Sequence, residues 1–291
     1  MSKYTIEQFS QITGLNKILI RTWENRYDFL NPNRSATNIR LYDDYMLTKG
    51  IKFSILVKNG YKISKLTKFK DQDINNLIEN TLEKSIDNNV KNKIYISNFI
   101  ESALYFNQDL FDKNYNECIK KIGLLKFYED VLFETMKKIS VLFLNATINP
   151  SNEHFLSENI RLKLSAEIEK NKNNIKNKKP WILFLPENEY HDIGLLFSYL
   201  ILLKNKQKVI YLGQNIPRES IVNTNHKEAN LLMFVNTKKK PDFLKNLTMY
   251  LTEKLQARNI YIVCNNQEII EEKQNNIKFL SKINDLIKLV K

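Results

Sequence analysis

Cysteine is nearly missing from this chain: Cys118 and Cys264 are the only two in 291 residues, far apart and without a CxxC pair. That excludes a zinc finger or a disulfide framework and is consistent with a reducing compartment. Long apolar runs are also missing, and none approaches the roughly 20 residues that cross a bilayer. The opening "MSKYTIEQFS" has neither the charged n-region nor the apolar h-region of a secretory signal, so a cytoplasmic protein is expected. Histidine is limited to His154, His191 and His226, and arginine to seven residues. The hydrophobic fraction is 43%, which is globular and excludes a disordered tail protein.

What is present is positive charge, and it is unevenly placed. The net charge is +13, of which residues 1–70 carry thirteen Lys or Arg against five Asp or Glu. Four of the seven arginines, Arg21, Arg26, Arg34 and Arg40, fall within twenty residues. Abundant lysine is usually a solvated face. Clustered arginine is more telling, because its planar fork suits phosphate and guanine edges. Such a basic end reads as a polyanion-binding module.

Three patterns follow one another along the chain. In residues 4–70, "TIEQFSQITG" has Thr5 as N-cap and Gly14 as C′ residue, and "LNKILIRTWENRY" follows with Asn16 as N-cap. Helix, short turn, helix is the helix-turn-helix layout. "DFLNPNRSATNIRLY" lacks helical period and predicts a hairpin or wing. Residues 72–170 are nearly free of Gly and Pro and repeat apolar residues at three- and four-residue steps, which predicts a helical bundle. "KNKNNIKNKKP", residues 170–180, reads as a linker. Beyond it, "WILFLP", "KVIYLG", "NLLMFV" and "NIYIVC" alternate with helical segments. That predicts a doubly wound, flavodoxin-like α/β domain with a parallel sheet of about five strands, covered on both faces. The expected domains are thus 1–71, 72–169 and 181–291, joined by the 170–180 linker. "ENEYHDIG", Glu187 to Gly194, directly follows the first of these strands, where ligands of such sheets are met.

The first sixty residues resemble the DNA-binding domain of the MerR family of winged helix-turn-helix regulators. Arg21, Trp23, Glu24, Arg26, Tyr27, Pro32, Arg34, Arg40 and Tyr42 fall on its pattern, roughly LRxWExRYxLLxPxR…GYRxY. Asp28 and Asn38 stand where that family has Gly; Asn tolerates the left-handed conformation a wing turn needs. The resemblance implies that Lys17 and Arg21 reach base edges in the major groove. It implies that Arg26, Arg34 and Arg40 hold phosphates, with Tyr27 in the same interface and Tyr42 donating to a phosphate from the wing. Trp23 is read as a core residue holding helix against wing.

The order of bundle, linker and α/β domain resembles the cobalamin-binding module of light- and cobalamin-responsive MerR regulators and of methionine synthase. Glu189-x-His191-x-x-Gly194 fits its E/D-x-H-x-x-G motif, "VIYLGQNIP" fits its second strand and turn, and Glu153-His154 fits its EH pair. The resemblance implies His191 as the cobalt ligand of adenosylcobalamin or methylcobalamin. Glu189 would fix its tautomer and Gly194 would admit the cofactor. Phe143 stands where a Trp would cap the upper face, and Thr237 remains from a motif whose Ser position is Val235. Cys264, Asn265 and Asn266 cover the place of a glycine pair that would leave bare backbone beside the cofactor's tail.

Three readings stay open. One is a non-enzymatic regulator of promoter DNA that senses a cobalamin-type ligand. A second is the same regulator with a cobalamin-free module acting through protein contacts. The third is a cobalamin-dependent methyltransferase or mutase subunit. The regulator readings imply double-stranded DNA and a homo-oligomer, dimer or tetramer, as partners. RNA polymerase or another regulator would be a further contact, and no membrane is involved.

Overall fold

A computed structural model of the chain describes residues 3–144, 149–173, 175, 177–224, 226, 228–235, 241–255, 259–264, 276–280 and 283–290. It divides into two compact units, Met1–Leu156 and Ser157–Lys291.

The first unit opens with α1 (Ile6–Thr13) and α2 (Lys17–Tyr27). Thr5 closes a capping box with Gln8 at the start of α1, and Gly14 ends that helix at φ 68°. The Asn16 side chain accepts from the Ile18 N–H at 2.8 Å and caps α2. Two short antiparallel strands, β1 (Asn33–Arg34) and β2 (Arg40–Leu41), form the expected wing. Asn38 turns it at φ 62°, and Asp28 ends α2 at φ 50°. Both positions therefore hold the left-handed backbone for which the family pattern has glycine, and both residue types can adopt it.

Helix α3 (Asp44–Lys58) is the spine of this unit. It packs against α1 through Gly50, where an added Cβ would run into the Phe9 ring and lie 3.0 Å from Thr13 Cγ2. The short α4 (Ile63–Leu66) leads to α5 (Asp71–Lys84), α6 (Asn88–Leu104) and α7 (Gln108–Lys126). A π-helical turn, Phe127–Leu132, then joins α8 (Phe133–Leu144). Gly123, at φ 79° and ψ 161°, breaks α7 near its end. Lys52 of α3 bridges to Glu101 of α6 at 2.8 Å and to Asn75 of α5 at 2.9 Å. Lys138 of α8 donates to the Ile12 carbonyl of α1 at 2.8 Å, and burial pulls its pKa below the ordinary lysine value. A cation at the last turn of α1 also meets the negative end of that helix. Cys118 is a buried core residue whose thiol is pushed up to about 12 by burial.

Helix α9 (Pro150–Asn171) runs across the boundary of the two units. The second unit is built on five parallel strands, β3 (Asn177–Pro186), β4 (Gln207–Ile216), β5 (Asn230–Val235), β6 (Ile260–Cys264) and β7 (Ile277–Leu280). β3 begins inside the 170–180 stretch read as a linker, pairing Asn177 with Gln207. The spatial order is β4-β3-β5-β6-β7. That is the flavodoxin-like order, whose switch point lies between the first and third strands in sequence. Alternate residues of each strand face two separate cores. Ile182, Phe184, Leu231 and Met233 join α11 (Arg218–Val222) and α12 (Pro241–Lys254) on one face. Trp181, Leu183, Leu232 and Phe234 join α10 (Ile193–Lys204) and α13 (Ile283–Val290) on the other. Helix α11 is short, only five residues.

Candidate functional site

Two places carry the chemistry, one in each unit. In the first, α2 turns Ile20 and Trp23 inward and leaves Lys17, Ile18, Arg21, Asn25 and Arg26 exposed. Trp23 meets Phe29 edge-on at 5.3 Å, and Phe29 contacts Phe53 of α3. This is the core role expected for the tryptophan. Lys17 is paired with Glu7 at 2.6 Å, with both groups well exposed, so little energy holds the pair together. Tyr27, the last residue of α2, is half-buried.

The wing is braced by a residue to which no role was assigned from sequence. Glu24, on the inner side of α2, accepts from Arg40 Nε at 3.0 Å and from the Tyr42 hydroxyl at 2.6 Å. Its side chain is 7% exposed and that of Arg40 is 23% exposed. Tyr42 is wholly buried, its backbone pairs with Tyr4, and its ring lies 4.4 Å from that of Phe9. Burial, and then the bond to the Glu24 carboxylate, raise its pKa above the ordinary 10.0. The expectation that Tyr42 donates to a phosphate is therefore corrected: its hydroxyl is spent inside the protein. Arg34 is exposed and folds its Nη1 over the wing turn, 2.9 Å from Asn38 Oδ1. The sequence holds no signal for this role of Glu24, because its burial, which demands an internal partner, arises only in the fold.

In the second unit, β3 ends at Pro186 and the chain turns through Asn188 at φ 60°. Glu189 is wholly buried. Its Oε1 lies 2.8 Å from His191 Nδ1 and accepts from the Tyr190 and His191 backbone N–H groups at 3.2 and 3.3 Å. A carboxylate so placed holds the proton on Nδ1 and leaves the lone pair of the ring on Nε2. The His191 side chain is 68% exposed. The imidazole is thus anchored on one nitrogen and presented to the outside by the other edge, at the carboxyl end of β3.

The neighbouring strand end fixes this loop. Asn215, at φ 55°, accepts the Asn188 N–H on Oδ1 at 2.9 Å and donates its own N–H to the Glu189 carbonyl at 3.2 Å. Gly213, at φ 87°, bends β4 where its register with β3 slips. The "YLGQNIP" stretch therefore seats the histidine loop. Asp192 precedes α10 but does not cap it with its side chain. Its carboxylate takes Arg161 Nε of α9 at 2.7 Å, and Arg161 also pairs with Glu158. Tyr211 of β4, stacked on Tyr199 of α10 at 5.6 Å, has its pKa raised by burial and by Asp192. Gly194 is the second residue of α10, and its carbonyl accepts the Ser198 hydroxyl.

Glu189, His191 and Gly194 are thus gathered in one loop. Glu153 and His154 lie in the first turns of α9 in the other unit, half-buried and exposed respectively. What secures that turn is the preceding Asn152, whose Nδ2 donates to the Ala103 carbonyl at 2.8 Å. Phe143 lies on α8, but its side chain is outside the described residues, as are Thr237, Asn265 and Asn266. Among the described residues no group of three or more His, Cys, Asp or Glu could hold a bare metal ion. Nor is any described helix long and apolar enough to cross a membrane.

Residues 4–73 match the model of the MerR HTH family regulatory proteins. Over 225 residues the chain is 23% identical to the HTH-type transcriptional repressor CarH of Myxococcus xanthus, covering 75% of this chain and 73% of that protein. It is 29% identical over 66 residues to the HTH-type transcriptional regulator MlrA of Escherichia coli, which is 23% of this chain and 27% of MlrA. Among solved structures, the Methanosarcina barkeri monomethylamine corrinoid protein superposes with a TM-score of 0.55 at 19% identity, covering 68% of this chain and 97% of that one. The chain therefore joins a MerR-type helix-turn-helix module to an α/β fold of the corrinoid-protein kind.

Proposed function

We propose that this protein is a DNA-binding transcription regulator whose bundle and α/β domain sense a cobalamin-type ligand, adenosylcobalamin or methylcobalamin. The observation that carries the reading is the Glu189–His191 pair at the switch point of the sheet, in the same chain as a MerR-type module. An exposed imidazole whose Nδ1 is held by a buried carboxylate is the kind of donor a cobalt centre takes. When bound, a corrinoid would supply a cobalt ion that takes a nitrogen donor. His191 would ligate through Nε2, Glu189 would hold the tautomer, and the small Gly194 would leave room beside the ring. Phe143, Glu153 and His154 would contribute from the bundle, and Thr237 from the stretch after β5. Within the second unit, the Arg161–Asp192 pair ties the start of α10 to α9.

On the DNA side, Lys17 and Arg21 address base edges, and Arg26 and Arg34 hold phosphates with Tyr27 at the margin. Arg40 contributes a second time, as brace to Glu24 and as a cation on the wing. Single modules of this size bind weakly, so a homo-oligomer reading repeated half-sites is part of the proposal, with promoter DNA as partner and RNA polymerase as a further contact. Regulation is a population shift, in which the ligand favours one arrangement or oligomer and so sets DNA occupancy.

One observation favours a second reading. β6 ends in a half-buried Cys264 followed by two asparagines where a cofactor tail would meet bare backbone. A module filled there would act through protein contacts instead. Mixing the purified protein with adenosylcobalamin in the dark, desalting it and recording the visible spectrum separates the two. Stoichiometric cobalamin absorbance in the protein fraction, abolished by His191→Ala, supports the sensor. A protein fraction without it leaves the protein-contact reading.

A further inference from the structure

Helix α2 turns two large apolar side chains outward, Leu19 at 38% and Ile18 at 73% exposure, and Ile18 is by far the more exposed. Ile18 lies in the first turn of α2, whose N-terminus is capped by Asn16. Its N–H is bound by the Asn16 cap at 2.8 Å, and its carbonyl accepts the Thr22 hydroxyl at 2.9 Å. The side chain therefore has a fixed origin and direction. Arg21 and Thr22, three and four residues on, share its face, and Lys17 stands beside it. Ile20 and Trp23 occupy the opposite, buried face.

Single exposed apolar residues are common on protein surfaces and by themselves mean little. The setting of this one is different. The first turn of α2 contains no acidic residue, although a helix N-terminus favours one. An acid there would repel a polyanion. A β-branched residue at an exposed helix position brings no gain in helix propensity either. What remains is an isoleucine set among cations on the turn of the helix that enters the groove.

Of the base edges in the major groove, only thymine offers an apolar group, its C5-methyl. We infer that Ile18 is a specificity-determining residue that packs on a thymine methyl next to the base read by Arg21. This rests on the DNA-binding reading above. The polar neighbours supply affinity and hydrogen-bond readout, whereas Ile18 supplies preference for thymine over a pyrimidine that lacks the methyl group.

The test begins by selecting duplexes from random-sequence DNA with the full-length protein. Each thymine of the enriched site is then replaced in turn by deoxyuridine, which removes the methyl group and keeps the pairing edge. For the wild type, one thymine per half-site should lose about fourfold in affinity on replacement, the factor that burial of one methyl-sized group carries. Ile18→Ala should bind the thymine and deoxyuridine duplexes equally, with an unchanged circular dichroism spectrum because the side chain is exposed. Ile18→Val should keep part of the discrimination. Wild-type indifference at every thymine overturns the inference, as does an unchanged deoxyuridine penalty in Ile18→Ala. If no duplex is enriched, the DNA-binding reading falls as well, which separates the two failures.

Discussion

Replacing Glu24 by Ala tests how the wing is held. The carboxylate accepts from Arg40 at 3.0 Å and from Tyr42 at 2.6 Å, with only 7% of its side chain exposed. Hydrogen bonds to a charged group contribute about 1.5–3 kcal/mol each. Arg40 keeps 23% exposure and can turn to water, so its share is discounted. The Tyr42 hydroxyl is wholly buried and cannot turn to water, and an orphaned buried donor costs about 1–3 kcal/mol. Together these place the loss for Glu24→Ala at roughly 3 kcal/mol. The assay is urea unfolding followed by Trp23 fluorescence in a Trp181→Phe background, since these are the only two tryptophans. The Tyr42→Phe change in the same background closes a double-mutant cycle, whose coupling should be about 1–2 kcal/mol. A loss below about 1 kcal/mol for Glu24→Ala, or a cycle with no coupling, would refute the brace and the burial argument behind it.

Three further outcomes follow from other parts of the molecule. Gly50→Ala should destabilise the first unit by about 1–3 kcal/mol, because the new methyl group meets the Phe9 ring in a packed helix contact; a neutral effect in urea unfolding would show that the contact is loose. Tyr42, Tyr95 and Tyr211 all have folded-state pKa values raised above 10.0, with burial the largest cause. Their contribution is therefore fully present below pH 10 and is lost as pH rises above it, where the unfolded tyrosines ionise first. Tyr42→Phe should reduce the fall in stability above pH 10 by about 1.4 kcal/mol per pH unit, and an unchanged slope between pH 9 and 11.5 would contradict this. Asn215→Ala removes the acceptor of the Asn188 N–H and puts alanine, which adopts the left-handed region less readily than asparagine, at φ 55°. It should cost the second unit about 1–2 kcal/mol by Trp181 fluorescence, and equal stability would show that the histidine loop is seated elsewhere.

Periodicity and caps made most of the fold legible. Thr5, Gly14 and Asn16 mark helix ends by chemistry that needs no tertiary context, and four apolar runs marked strands. The limits have physical causes. Lysine- and asparagine-rich residues 177–180 give no hydrophobic signal, yet they open β3 because backbone pairing with β4 recruits them. Tyr42 reads as a wing donor on pattern alone, and only burial shows its hydroxyl turned inward to Glu24. The family resemblance set Glu189 beside His191, and the two side chains meet at 2.8 Å. The clamp from Asn215 could not be read, since it joins residues 27 apart through two left-handed asparagines.

The central claim is that the histidine module governs DNA occupancy. It is tested most directly by fluorescence anisotropy of a selected, labelled duplex titrated with the full-length protein in the dark, with and without adenosylcobalamin. The two dissociation constants should differ by at least about fivefold, a coupling of roughly 1 kcal/mol, and His191→Ala should abolish the difference. Identical constants for a protein that carries stoichiometric cobalamin would contradict it.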